Sequence, residues 1–374
     1  MGLALAEELA RRGGIEVQIL ERNSRIGNEA SSAAAGILTP QAESLEGPGP
    51  LLNLLLAGYT LIPETVTRLQ EMTKIDLDYR VPGMLTLAFT EADEEKLTHD
   101  LQWQQAAGLQ VERLNATQVR KMEPAVSDKI RGGIYCSQAA QLDPRRLIRA
   151  YGLAVERQGV RSLLSTPADR FLVEKNRVIG VEFSDGKIYA DWVVNCAGSW
   201  AGFDRSLPIP VPAIPARGQI LQFSMEFPLV QRVVRSPRAY LVQRSQGSLI
   251  AGTTVEYVGF DKSVTEQATR TIREGACELV PSVGSIKGES AWAGLRPDTP
   301  DHLPILGPTP LEGYLVAAGH FRNGILLAPL TGRIIADLIF SGTSSMDLSA
   351  FSISRFVAKQ VRGKIDQLPA DGET

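Results

Sequence analysis

Residues 1–21, MGLALAEELARRGGIEVQILE, constrain the fold more than any other stretch. Leu3, Leu5, Ala6, Leu9 and Ala10 recur near helical spacing, Arg11 and Arg12 suit the negative end of a helix dipole, and Gly13-Gly14 stop the helix. Residues 15–20 then alternate, turn apolar and end on Glu21, which predicts a strand. A glycine opening a helix, with an acidic residue at a strand end about twenty residues later, is the second half of a dinucleotide-binding fingerprint, in which the carboxylate takes a ribose hydroxyl. Gly2 would be its last glycine. A surface helix followed by a strand and an incidental Glu21 accounts for these residues equally well, so later segments must decide.

Residues 29–40, EASSAAAGILTP, place six small residues and a glycine ahead of Ile37-Leu38. Such a run lets backbone pass close to a flat ligand, and Ser31 or Ser32 can bond phosphate or cap a helix. The alternative is a flexible linker; the apolar pair that follows favours a cofactor-facing loop.

With 374 residues the chain exceeds what one core supports, and its 44% hydrophobic and 22% charged content is that of a globular protein. The 39 basic and 42 acidic residues leave a formal charge of −3 without a Lys/Arg block, so nucleic acid is not an expected partner. Cys136, Cys196 and Cys277 are far apart, and His99, His302 and His320 form no HExxH or Cys/His cluster. Neither a disulfide framework nor a metal is expected. The start of the chain lacks the pattern of a signal peptide, and no stretch approaches the roughly 18 uncharged apolar residues of a membrane span. A cytoplasmic protein with no membrane partner is expected.

Helical patterns cover residues 50–72, interrupted by Pro63, and residues 91–107, 143–158, 264–279 and 325–340. Strands are expected at 81–89, 218–225, 240–243, 248–254 and 314–319. Residues 177–183 and 188–196 read as a hairpin joined by an Asp-Gly turn. The prolines at 208, 210, 212 and 215 mark a crossing into an antiparallel region, and the polar last dozen residues are expected to fray. The fold class is therefore α/β, α+β overall: a Rossmann-like nucleotide-binding domain with a second, mainly antiparallel β substrate domain. The expected division is discontinuous, with residues 1–80, 140–210 and 290–374 in the first domain and residues 81–139 and 211–289 in the second.

SSAAAG (31–36), ARGQ (216–219), AYLV (239–242), WAGLRPDTPDHLPILG (292–307) and AAGHFRNGILLAP (317–329), in this order and spacing, carry a resemblance over nearly the whole chain. The sequence resembles the glycine oxidases of thiamine biosynthesis, within the flavoprotein family of D-amino acid oxidase and sarcosine oxidase. The resemblance implies an enzyme that holds FAD and oxidises glycine or another small amine. Arg296 would clamp the substrate carboxylate, a task for which a guanidinium offers two parallel hydrogen bonds. Tyr240 would add its hydroxyl, and Arg322 lies in the active-site turn. Without the resemblance, Arg296 reads as closing a local turn and Tyr240 as packing.

The same resemblance implies an FAD site built from Gly2, Glu21, Arg22, Ala30, Ser31, Ala35, Gly36, Ile37, Ala168, Gly198, Trp200, His320, Phe321, Arg322, Asn323, Gly324, Ile325 and Leu326. The positive end of the last helix would face the flavin, and His320 would be a positioning residue. The α-hydrogen would pass as hydride to the flavin, O₂ would become hydrogen peroxide, and the imine would hydrolyse or feed a thiazole synthase. The last cysteine being Cys277, away from the active-site turn, the FAD is expected to be non-covalent. A homo-oligomer is expected.

Family members begin with a strand and a Gly-rich turn, of which this sequence holds only Met1-Gly2. At roughly 1.5–3 kcal/mol for each buried aliphatic of a central strand, the chain as written is expected to fold poorly and hold pyrophosphate weakly, and the natural protein to be longer. Rival readings are a sarcosine or D-amino acid oxidase or dehydrogenase, a flavin-free pseudoenzyme, and, with least support, a nicotinamide dehydrogenase.

Overall fold

The computed structural model describes residues 1–43 and 47–356. The expected fraying of the last dozen residues falls outside that range. The opening helix forms as Gly2–Arg12 and ends at Gly13, whose φ is 73°. The strand after it is shorter than expected, Gln18–Leu20, and pairs in parallel with Arg161–Leu163. The break between residues 50 and 72 falls at Leu61, which leaves Pro63 in the first turn of the second helix, where its missing N–H costs no bond, giving helices Pro50–Thr60 and Ile62–Thr73. Asp143 caps Pro144–Arg157 by accepting from the backbone N–H groups of Arg145 and Arg146, at 2.8 and 3.2 Å.

The expected hairpin arm at residues 188–196 is instead two strands in two sheets. Gly186–Tyr189 pairs antiparallel with Arg177–Phe183, which pairs with Arg170–Glu174, a strand missed in the sequence. Val193–Asn195 pairs in parallel with Tyr314–Ala318, which pairs antiparallel with Ile305–Pro308. Asp191 and Trp192, both exposed, carry the chain between the two sheets. A continuous apolar run does not reveal such a switch of partner, because both segments satisfy the same local pattern.

One layer of helices, Gly2–Arg12, Pro50–Thr60, Ile62–Thr73, Pro144–Arg157 and Gly324–Ser341, buries Leu5, Leu9, Leu54, Val66, Leu69, Ala150 and Ile334 together with Leu315 of the sheet. The last helix is long and apolar enough, by length and composition, to cross a bilayer, which corrects the expectation that no stretch comes near. Here its faces pack on the protein, and its Asp337 pairs with Arg12 at 2.8 Å, as suits a core helix.

The second layer is an eight-stranded sheet. Its order is Glu289–Asp298, Ile214–Ser224, Ser248–Gly252, Tyr240–Gln243, Val233–Arg235, Met84–Ala88, Gly132–Cys136 and Val111–Asn115. Successive side chains alternate between its faces. Leu221, Phe223, Leu241, Leu249 and Ala251 therefore pack with Ile272 and Ala276 of the helix Glu266–Leu279, while Gly218, Ile220, Tyr240 and Gly252 face the other way, into a cavity.

Candidate active site

That cavity, about 1360 Å³, runs from the start of the helix Gly2–Arg12 and Glu21 to Arg296 and Tyr240 on the large sheet. Of the residues expected at the site, Gly2, Glu21, Arg22, Ala30, Ser31, Ala35, Gly36, Ile37, Ala168, Gly198, Trp200, Tyr240, Arg296, His320, Phe321, Arg322, Gly324 and Ile325 line it. Asn323 and Leu326 do not. Leu326 is buried in the helical core, and Asn323 is buried at the start of the last helix with its backbone N–H on the His320 carbonyl, 2.8 Å. At 3.6 residues per turn, a helix starting at a cavity cannot direct consecutive side chains into it.

The small residues at 30–36 form a one-turn helix, Ala30–Ala33, rather than the expected loop. Their size serves packing first: a Cβ on Gly294 would lie 2.5 Å from that of Ala33. Trp292 Nε1 donates to the Ala33 carbonyl at 3.1 Å, and Arg145 Nε to that of Ser32 at 3.1 Å. Gly36 follows with φ of 73°, where an L side chain is strained and would meet the Leu142 carbonyl. Arg244, which the sequence reading did not single out, donates to the carbonyls of Leu142 and Ala35 and so ties this segment to the sheet.

At the far end of the cavity, Arg296 lies across Gly218, where any Cβ would collide with its guanidinium, and donates to Thr254 O (3.0 Å) and Thr253 Oγ1 (2.8 Å). The neighbouring strands place the Tyr240 ring over Gly252 in the same way. Two glycines on adjacent strands therefore make the room in which a guanidinium and a phenol converge. Burial works against the charge of Arg296 and pushes the Tyr240 phenol up, so Tyr240 stays a hydrogen-bond donor.

The turn 320–323 abuts the same strand, since Phe321 N–H donates to Pro297 O at 2.7 Å. Arg322 does not point freely into the cavity: its Nε and Nη2 each lie 2.8 Å from one carboxylate oxygen of Glu43, another residue missed in the sequence. His320 is buried with Nε2 3.1 Å from Thr331 Oγ1, and burial, with the nearby Met1 amino group, lowers its pKa to about 3. A neutral, weakly basic ring suits positioning rather than proton abstraction.

That shift has a consequence for stability. Between about pH 6.5 and 3 the unfolded chain takes up a proton at this ring and the folded chain does not, so stability falls as pH drops, by at most about 1.4 kcal/mol per unit. Urea unfolding at pH 7 and 5.5 is expected to show the loss, and His320→Asn to remove that contribution; an unchanged difference in the variant would place the effect elsewhere.

At the opposite end, Glu21 Oε1 accepts from Asn23 N–H (2.9 Å) and Nδ2 (3.0 Å), which fixes the carboxylate at the cavity wall. Arg22 lies 4.4 Å over the Trp200 ring, and Trp200 stacks on Phe260. The starts of the first and last helices meet, with Met1 Cε 3.7 Å from the Cβ position of Gly324. Two positive helix ends, a fixed carboxylate and a cavity larger than the roughly 300–1,000 Å³ of ordinary ligand pockets fit an extended, anionic dinucleotide.

A model of the family described as FAD dependent oxidoreductase matches residues 1–338. The chain belongs to that family. Among curated relatives, a glycine oxidase from Geobacillus kaustophilus is 31% identical over 363 residues, covering 96% of this chain and 95% of that protein. The crystal structure of glycine oxidase from Geobacillus kaustophilus superposes with a TM-score of 0.90 at 31% identity, over 94% of this chain and 95% of that one. A bifunctional protein ThiO/ThiG from Synechocystis is 34% identical over 364 residues, 96% of this chain but 53% of that protein. The chain thus spans about half the length of the bifunctional relatives it matches. Within that family the chain presents an α/β layer with a mainly antiparallel sheet beside it.

Proposed function

We propose that the protein oxidises glycine and other small amines such as sarcosine or D-alanine to the imine, which hydrolyses to the 2-oxo acid and ammonia, or methylamine in the case of sarcosine. The observation that carries this reading is the meeting of Arg296, Tyr240 and the start of the last helix around one cavity. Residues 1–80, 140–210 and 290–374 are assigned to FAD and residues 81–139 and 211–289 to the substrate; the strand that carries Arg296 pairs along its length with Ile214–Ser224 of the second group. Arg296 holds the substrate carboxylate through paired N–H donors and Tyr240 donates its hydroxyl to the same group, which fixes the α-carbon. The Glu43–Arg322 pair borders this chamber, and neutral His320 braces the turn from behind through Thr331. Bound FAD would supply the acceptor for the α-hydrogen and its two electrons, and O₂ would carry them off as hydrogen peroxide.

The cysteines support a non-covalent cofactor. Cys136 and Cys277 do not line the cavity; Cys196 does, at the end nearest Met1, where burial pushes its thiol up and away from reactive thiolate. A role in thiamine biosynthesis, with the imine passed to a thiazole synthase, rests on the resemblance and is in keeping with the bifunctional relatives. A cytoplasmic homo-oligomer remains part of the proposal.

The test is peroxide release by the purified protein with glycine and O₂, followed by acid denaturation and filtration. Peroxide formation and yellow filtrate are expected. Peroxide with other amines but not glycine would sink the substrate assignment; colour retained by the protein would sink the non-covalent one.

A further inference from the structure

The guanidiniums at the substrate end of the cavity differ in what they touch. Arg296 donates to neutral groups, Thr254 O at 3.0 Å and Thr253 Oγ1 at 2.8 Å, and so keeps its full attraction for an anion. Arg322 donates to a carboxylate: its Nε and Nη2 both lie 2.8 Å from Glu43 Oε2. Arg235, directly opposite Tyr240 on the paired strand, lines the same cavity and is itself engaged. The turn that carries Arg322 is held against the strand that carries Arg296 by the 2.7 Å bond from Phe321 N–H to Pro297 O, and each guanidinium belongs to a residue next to that bond. Their charges act on one another. Burial is the main force against the charge of Arg296; Arg322 adds to it and Glu43 relieves it. With the side chains of Glu43 and Arg322 only 18% and 26% exposed, solvent screens the pair weakly.

We infer that Glu43 is a specificity residue: by neutralising Arg322 it reserves the chamber for amines that carry one carboxylate and turns away those that carry two. This rests on the amine-oxidase reading above and deepens it. A substrate such as D-alanine engages Arg296 and Tyr240 and leaves the Glu43–Arg322 pair intact. The second carboxylate of D-aspartate instead meets a guanidinium already matched, beside a carboxylate that repels it, and its lost hydration goes uncompensated. Without the Glu43 charge the same guanidinium would be open to that second carboxylate.

Calorimetric titration of the full chain with malonate and acetate tests this without turnover. In the unmodified chain malonate is expected to bind no more than about threefold tighter than acetate. Glu43→Gln keeps a hydrogen-bond acceptor for Arg322 but removes the charge, and is expected to raise the malonate-to-acetate preference about tenfold or more, the scale of one added charge-assisted bond. Adding Arg322→Leu to Glu43→Gln is expected to take that gain away. A strong malonate preference in the unmodified chain, no gain in Glu43→Gln, or a gain that survives Arg322→Leu would each overturn the inference. Should Glu43→Gln fail to fold, as judged by its melting curve, Glu43→Ala and the preference of the unmodified chain decide. A kinetic arm, the ratio of kcat/KM for D-aspartate over D-alanine, separates the two levels. No peroxide from any amine, with the malonate gain present, defeats the oxidase reading only. Peroxide from D-alanine, with the ratio no higher in Glu43→Gln than in the unmodified chain, defeats the specificity inference only.

Discussion

Replacing Arg296 by leucine is expected to lower kcat/KM for the amino acid about a hundredfold, the equivalent of roughly 3 kcal/mol for a lost paired, charge-assisted contact. Little stability should go with it. The guanidinium is buried against its own charge, and of its two protein partners Thr253 keeps another bond, its hydroxyl donating to the Gln219 carbonyl at 3.0 Å. Arg296→Lys should fall between, because an ammonium keeps the charge but loses the planar fork. Steady-state kinetics with a melting curve for each variant checks both parts. A loss of less than threefold would mean that the substrate carboxylate is held elsewhere, and the oxidase reading would lose its anchor.

The second large effect is on folding. Glu7 of the first helix is 1% exposed and takes both Nε and Nη2 of Arg68, at 3.1 and 3.0 Å. Arg68→Met leaves that carboxylate buried without its partner, which costs about 3–5 kcal/mol. Against a net stability of roughly 5–15 kcal/mol this is a large fraction. The double change Glu7→Gln with Arg68→Met should recover part of the loss. Urea unfolding midpoints measure it, and a loss below about 1 kcal/mol would show that water reaches Glu7. The consequence extends to the cavity, because Gly2 at the start of this helix lines it.

In the sequence Glu7 stands as a charge within the apolar stretch LALAEELA. Its burial depends on Arg68, sixty-one positions away and carried by a different helix. The same limit explains what was missed at the site. Helices, caps and the turn before the last helix were legible because they rest on spacing within a few residues: Asp143 before Pro144, Gly13 after Arg12, Gly324 opening an apolar helix. Arg296 and Tyr240 were legible because they stand in motifs with recognisable neighbours. Glu43, Arg235 and Arg244 stand in no such motif, and nothing local distinguishes them from surface charges. The reading of residues 188–196 as one arm failed for a related reason, since a strand's partner is a property of the whole sheet.

By itself the sequence determined the alternation of helices and strands, the half fingerprint at residues 2–21, and the chemical types offered to a ligand: one carboxylate at a strand end, one guanidinium in GLRP, one helix start after HFRN. Only the tertiary structure decided that these meet along one cavity, that Arg322 is engaged by Glu43, and that Arg235 stands beside Tyr240. Local elements follow from steric and hydrogen-bond preferances acting over a few residues. Their convergence follows from strand register and close packing at glycines such as 218 and 252, which act between segments far apart in the chain.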